Sequence, residues 1–314
     1  MIARCAAALA ALLLSGCATF FTPPQTAALL AKPPPDLPPR VERAETPFFP
    51  QTRDHCGPAA LATALADIGL PADPDRLADA VFLPSRAGTL QLEMLGGARR
   101  QGAVATRLPR ELEALLREVA AGHVVVVLQN LGLELIPRWH YAVVVGYDLE
   151  AREIILRSGT TERATLPLRT FDYTWTRAGR WAIAVLPPEQ LAATATEADA
   201  QEAALGFERA APPGRAAQAW RALLARWPGN LLAGIGLGNT LNAAGDAVGA
   251  RTAFESAAQR HDSAVAWINL ARLRLDAGDR AGARAAALRG LQRAEAAEPA
   301  WREAARTTWA ATTD

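Results

Sequence analysis

Apolar residues between positions 56 and 121 recur at helical spacing. Leu61, Leu65 and Ile68 mark one side of a segment that opens on Cys56-Gly57-Pro58 and closes at Gly69. Proline has no N–H to lose in a first turn and fixes a helical φ, so Cys56 is expected at a helix N-terminus. Residues 74–82 read as an amphipathic helix. Residues 89–101 read as another, with Thr89 as candidate N-cap and Leu92 and Leu95 on its buried face. A short strand is expected at 104–107. Leu112, Leu115, Leu116 and Val119 line a further helix over 110–121, stopped by Gly122. The period then changes: 124–129, 140–147, 153–157 and 181–186 are runs of β-branched and aromatic residues, three of them nearly continuous in apolar character. Helices followed by a run of strands predict an α+β domain in which the cysteine helix packs on a mostly antiparallel sheet.

From about residue 191 the chain is alanine-rich and helical, with no strand signal. Ala244-Gly245-Asp246 recurs as Ala277-Gly278-Asp279 and Ala250-Arg251 as Ala283-Arg284, both at a period of 33 residues. The segment, 191–314, resembles tetratricopeptide repeats: Ala253, Phe254 and Ala257 suit the second helix of a repeat, and Leu270 and Leu273 the first. A plain alanine-rich helical bundle is the competing reading. Either surface is expected to hold a protein partner or peptide and to perform no chemistry.

Length and charge narrow the function classes. With 314 residues, half of them hydrophobic, and a formal net charge of +1, the chain suits about two domains and carries no electrostatic bias toward nucleic acid. Residues 20–50 contain nine prolines and little apolar periodicity, so 17–45 is expected to be a semi-rigid tether rather than a packed unit. Residues 1–17 carry Arg4, an apolar run from Ala6 to Leu14 too short to cross a bilayer, and then Leu-Ser-Gly-Cys. That ending resembles the lipobox of bacterial lipoproteins. It implies a signal peptide over 1–16, lipid on Cys17 and a cell-envelope location. Ala18, in place of an acidic residue, points to the outer membrane facing the periplasm. An ordinary signal peptide is the alternative.

This processing leaves Cys56 as the only cysteine of the mature chain in an oxidising compartment, where a stabilising cysteine would normally have a disulfide partner. It is either a packed core residue or one kept for its reactivity. At a helix N-terminus, unpaired N–H groups and the helix dipole stabilise a thiolate, the nucleophilic form. Cysteine attack on an acyl group also needs a base and donors for the oxyanion. His140 is the candidate base, because it opens a strand directly after a loop containing Gly132, Pro137 and Trp139. His55 is adjacent to Cys56 and helical neighbours do not face each other; His123 follows a helix end and His261 lies in the helical tail. Gln51, five residues before Cys56, is a candidate oxyanion donor. A zinc site from Cys56, His55 and His140 lacks a paired-ligand motif, and no cofactor is expected.

Gln51, the run Asp54-His55-Cys56-Gly57-Pro58-Ala59-Ala60-Leu61, and the run from His140 to Asp148 together resemble the C39-like cysteine peptidases. These are papain-related relatives of the enzymes that remove double-glycine leaders. The resemblance covers about residues 46–190. It implies a papain-like α+β fold with Cys56 as nucleophile, His140 as base and Gln51 as oxyanion donor. Members of the family orient the histidine with an aspartate in the following strand, commonly before a proline. Asp148 stands about 26 Å along the strand from His140 and is expected in a turn. A hairpin turning near 149–151 returns Ser158, Thr160 and Thr161 beside His140, so Arg157-Ser158-Gly159 occupies the aspartate's place. A serine can hydrogen-bond the ring but cannot neutralise an imidazolium. The expected function is a membrane-anchored cysteine peptidase acting on a peptide or protein, with a recruiting repeat domain. The competing expectation is a catalytically inactive peptidase-like scaffold.

Overall fold

The structure is a computed structural model that describes residues 22–51, 55–86 and 88–313. Cys17, the expected lipidation site, the signal segment and Asp54 of the cysteine motif lie outside the described residues. The chain divides into two compact units. The first takes the described part of Met1–Ala98 with Arg107–Val185 and Ala192–Thr194; the second takes Arg99–Thr106, Leu186–Leu191 and Ala195–Asp314. Among the described residues, no helix is long and apolar enough to cross a membrane.

In chain order the first part of the molecule runs α1 (Pro24–Ala31), β1 (Arg40–Glu42), α2 (Cys56–Asp67), α3 (Pro74–Val81), α4 (Gln91–Arg100), β2 (Val104–Arg107) and α5 (Leu112–Ala120). It continues with β3 (Val125–Asn130), β4 (Trp139–Asp148), β5 (Glu153–Ser158), β6 (Thr161–Pro167), α6 (Leu168–Thr176) and β7 (Ala182–Leu186). In the first unit β7, β3, β4, β5 and β6 are successive antiparallel neighbours, and β1 pairs with the far end of β4 through Arg40 and Asp148. Every residue of β3 and the interior of β4 are buried, which is why these segments read as unbroken apolar runs rather than as alternation. Helix α2 packs on β4 and is buried nearly all round. Its alanines at 59, 60, 62 and 64 let the sheet approach closely, while full burial of Leu61 and Leu65 contributes roughly 1.5–3 kcal/mol each. The β4–β5 turn falls where expected, and Asp148 Oδ1 accepts the Ala151 N–H at 2.8 Å, so this carboxylate is a turn residue.

The proline-rich segment departs from expectation. It is packed on the first unit, with a helix in α1, a sheet strand in β1, and Leu29 and Leu37 each 6% exposed. Pro24 sits at the start of α1, where its missing N–H costs nothing. Its anchors lie far along the chain. Thr26 donates from both N and Oγ1 to Asp172 Oδ2, Gln25 Oε1 accepts the Leu112 N–H at the start of α5, and Arg117 clamps Asp36 with two bonds of 2.6 and 3.0 Å. Helix α4 shows a second departure. Its first turn is closed by the Leu90 carbonyl rather than capped by Thr89, and Leu92 is 68% exposed while Leu95 is buried.

From Glu197 onward the second unit is helical: α7 (Glu197–Glu208), α8 (Pro213–Arg226), α9 (Leu231–Ala243), α10 (Ala247–His261), α11 (Ala264–Asp276), α12 (Arg280–Ala296) and α13 (Arg302–Ala311). The 33-residue repeat is a repeated turn. Gly245 and Gly278 take φ of 83° and 78° after α9 and α11, and Asp246 and Asp279 cap the next helices by accepting the N–H of Gly249 and Gly282 at 2.8 and 2.9 Å. Each turn returns the chain antiparallel, giving tetratricopeptide-like helix pairs. Ala253, Phe254, Ala257, Leu270 and Leu273 fall in α10 and α11 as the periodicity places them, in one core with Leu241, Ala286 and Ala287. Gly236 and Gly238 of α9 let the Trp220 and Phe254 rings lie against the helix backbone, a use of glycine that the repeat period alone does not reveal.

Candidate active site

Helix α2 starts with the His55 carbonyl accepting the Ala59 N–H, and Cys56 is its first residue, half-buried. Gly57 has a steric reason: a Cβ there would stand 2.6 Å from both Cβ and Oγ1 of Thr89. Thr89 in turn accepts the Tyr141 hydroxyl on its carbonyl at 3.2 Å. The cysteine helix is thus held to β4 through one residue of the loop before α4. Burial, and secondarily the charge of Cys56, pushes the Tyr141 hydroxyl well above its ordinary value, and the two residues line one cavity.

Cys56 lines a cavity of about 680 Å³ with Thr89, Leu90, Leu92, Trp139 and Tyr141 among its walls. Leu92 is exposed because it faces this cavity. The walls are mainly apolar, with Arg86 as the one charged side chain among the described lining residues.

His140 stands on β4 between the two cavity-lining residues Trp139 and Tyr141. Its Nε2 lies 2.8 Å from Ser158 Oγ, so the hairpin brings these two together as the turn position predicts. Gln51 reaches the same end of the sheet, its N–H donating to the Gly159 carbonyl at 3.0 Å, one residue beyond Ser158. Residues 52–54, between Gln51 and the cysteine helix, lie outside the described residues. His140, Ser158 and Gln51 therefore form one cluster at the β5–β6 turn, and Cys56 with Tyr141 forms another at the cavity. Tyr141 and His140, adjacent on β4, join the two. His55 and His123 are engaged elsewhere, the first edge-on to Phe82 at 5.1 Å and the second with Nδ1 2.8 Å from the buried Glu118.

Burial lowers the His140 pKa below its ordinary value of 6.5, and the nearby Arg138 charge adds to this. A histidine depressed in the folded state accepts protons more readily when unfolded. It is neutral in both states above the ordinary value, and it subtracts stability as pH falls below 6.5. In a Cys56→Ala background, the side-chain ¹⁵N shifts of His140 are expected to titrate with a midpoint below 6.5, and Arg138→Gln to move that midpoint upward. A midpoint at or above the ordinary value would show that burial does not control this ring.

Three parts of this site escape reading along the sequence. Tyr141 and Thr89 are joined across 52 positions. Arg138 acts on His140 because Asn130 closes the β3–β4 loop, its Oδ1 accepting the N–H groups of Gly132 and Arg138 at 2.9 Å each. An asparagine at a strand end before Leu-Gly is the one local signal for that closure.

Residues 43–183 match the model of the Peptidase_C39 like family. Solved structures similar to the chain include a C39-like peptidase from Bacillus anthracis, 18% identical over 47% of this chain and 97% of that one, with a TM-score of 0.40. The peptidase domain of Streptococcus ComA, a bi-functional ABC transporter involved in a quorum sensing pathway, is 19% identical over 45% of this chain and 98% of that one, with a TM-score of 0.38. The Yersinia enterocolitica type III secretion chaperone SycD, in complex with a peptide of the translocator YopD, is 17% identical over 36% of this chain and 89% of that one, with a TM-score of 0.34. No curated protein matches the chain. Ser158 stands beside His140 at the place where the sequence resemblance implies an aspartate.

Proposed function

We propose that the chain is a cysteine peptidase with Cys56 as nucleophile and His140 as general base. The supporting observation is the His140–Ser158 pair, which engages Nε2 at 2.8 Å and leaves Nδ1 to serve a thiol. In this reading His140 takes the proton from Cys56 Sγ, and the thiolate attacks the peptide carbonyl carbon. The C–N bond breaks as His140 returns the proton to the leaving amine. Water then attacks the thioester, giving its proton to His140, and the thiol is released as the leaving group with that proton. The Cys56 N–H, at the head of α2, and the Gln51 side-chain amide serve the oxyanion.

The location belongs to the same proposal. Lipid on Cys17 anchors the chain in the outer membrane facing the periplasm. Because the packed segment begins by Thr22, five extended residues reach at most about 18 Å, and the domain works close to the lipid surface rather than on a long stalk. The repeat unit recruits a peptide or protein partner. A cavity of about 390 Å³ in that unit, lined by Leu224, Asn230, Leu237, Arg260 and His261 among others, suits an extended segment.

One observation favours a second reading, an inactive peptidase-like scaffold: Ser158 provides no negative charge for an imidazolium. A thiol-reactive peptidase probe separates the two. Labelling that disappears in Cys56→Ala and weakens in His140→Ala supports the enzyme. Absence of labelling on well-folded protein, or labelling indifferent to His140→Ala, supports the scaffold.

A further inference from the structure

A second cavity, of about 300 Å³, adjoins the one that holds Cys56, the two sharing Gln91 and Ala178. Its chemistry is different. Three arginines line it, Arg107, Arg110 and Arg180, and no acidic residue is among its described lining residues. Arg180 Nη2 stands 3.3 Å from Asp172 Oδ1, but Asp172 is also the acceptor for Thr26 and Thr176. Among the described residues, Arg107 and Arg110 take part in no ion pair. Two N–H donors of lining residues, Arg180 Nε and Trp181 Nε1, are buried without an acceptor, an arrangement that folded proteins avoid unless a ligand or solvent completes it.

We propose that this cavity is a carboxylate-binding subsite for the peptide whose scissile carbonyl is presented to Cys56. The inference rests on the peptidase reading for its orientation, though its test reads binding alone. Planar guanidinium groups match a carboxylate by paired N–H bonds, and the neighbouring apolar walls at Leu90, Leu92 and Trp139 take the peptide's apolar side chains. An acidic side chain and a chain-terminal carboxylate present the same chemistry.

Four apolar decapeptides labelled at the N-terminus with an uncharged BODIPY dye separate these sources: with or without one glutamate, each as free acid or C-terminal amide. Their binding to the full chain carrying Cys56→Ala is read by fluorescence anisotropy. Peptides bearing a carboxylate are expected to bind at least about tenfold more tightly than the uncharged one. Arg107→Gln with Arg110→Gln is expected to remove that advantage, and the Lys pair to restore part of it. Both arginines are exposed, so glutamine leaves the packing intact. Preference that follows the glutamate in amidated peptides identifies a side chain; preference that follows the free terminus identifies the chain end. Equal affinity for all four peptides overturns the proposal, as does an equal loss for the uncharged peptide in the double variant. Loss of binding to phosphatidylglycerol vesicles in that variant, with peptide affinity unchanged, overturns it in favour of a lipid headgroup. If Cys56 proves unreactive while carboxylate selectivity persists, the peptidase reading fails and the subsite stands.

Discussion

Replacing Ser158 with aspartate is expected to raise the rate at which Cys56 reacts with a peptide-like thiol electrophile by about tenfold to a hundredfold at neutral pH. The His140 ring already has Nε2 2.8 Å from Ser158 Oγ, so the position for an orienting group is occupied and the geometry needs no new contact. What serine lacks is charge. Burial and Arg138 both hold His140 below its ordinary pKa, disfavouring the imidazolium that must form when the thiol gives up its proton. A carboxylate at this distance acts against both, raising the histidine's pKa by about one to three units and fixing the tautomer that presents Nδ1. Ser158→Ala is expected to slow the same reaction about tenfold by freeing the ring. The measurement is the second-order rate constant across pH, alongside the His140 titration. A midpoint that rises in Ser158→Asp without any gain in rate would show that charge on His140 does not limit Cys56, and the scaffold reading would gain.

This pair is legible in the sequence because an antiparallel hairpin transmits register. The turn after Asp148 sets which residue of the returning strand meets His140, and Ser158 is that residue despite the bulge near Gly146. The repeat was legible for a related reason: Gly245 and Gly278 need a left-handed φ, and each precedes an aspartate cap, so local chemistry marks both turns. What stayed hidden is chemistry between residues distant in sequence. The proline-rich segment looks unable to pack when judged alone. Its partners, Asp172, the Leu112 N–H and Arg117, stand 81 to 146 positions away. Leu92 fits the spacing of a buried face, yet the helix turns it into the cavity beside Cys56. Periodicity reports which residues share a side of a helix, not whether that side meets protein or a binding cavity.

Gly57 joins the local and distant kinds of information, and Gly57→Ala carries the second large expectation. Its place between the cysteine and Pro58 reads as a helix start. The structure gives it a further duty, because a Cβ would stand 2.6 Å from Cβ and Oγ1 of Thr89 and 3.2 Å from Cγ2. These atoms belong to a branched side chain close to its backbone, and the Thr89 carbonyl is tied to Tyr141, so neither partner yields easily. Overpacking of this kind costs about 1–3 kcal/mol, and each kcal/mol lowers the melting midpoint of a domain this size by about 2–4 °C. The loss of reactivity should exceed the loss of stability, since moving α2 by about 1 Å misplaces Cys56 and can cost about 100-fold in rate. Adding Thr89→Gly removes the colliding atoms and keeps the carbonyl that Tyr141 uses. The double variant is therefore expected to recover most of both losses, giving a coupling of roughly 0.5–3 kcal/mol between two residues 32 positions apart. Unchanged melting and unchanged thiol reactivity in Gly57→Ala would show that the Thr89 contact does not set the position of Cys56.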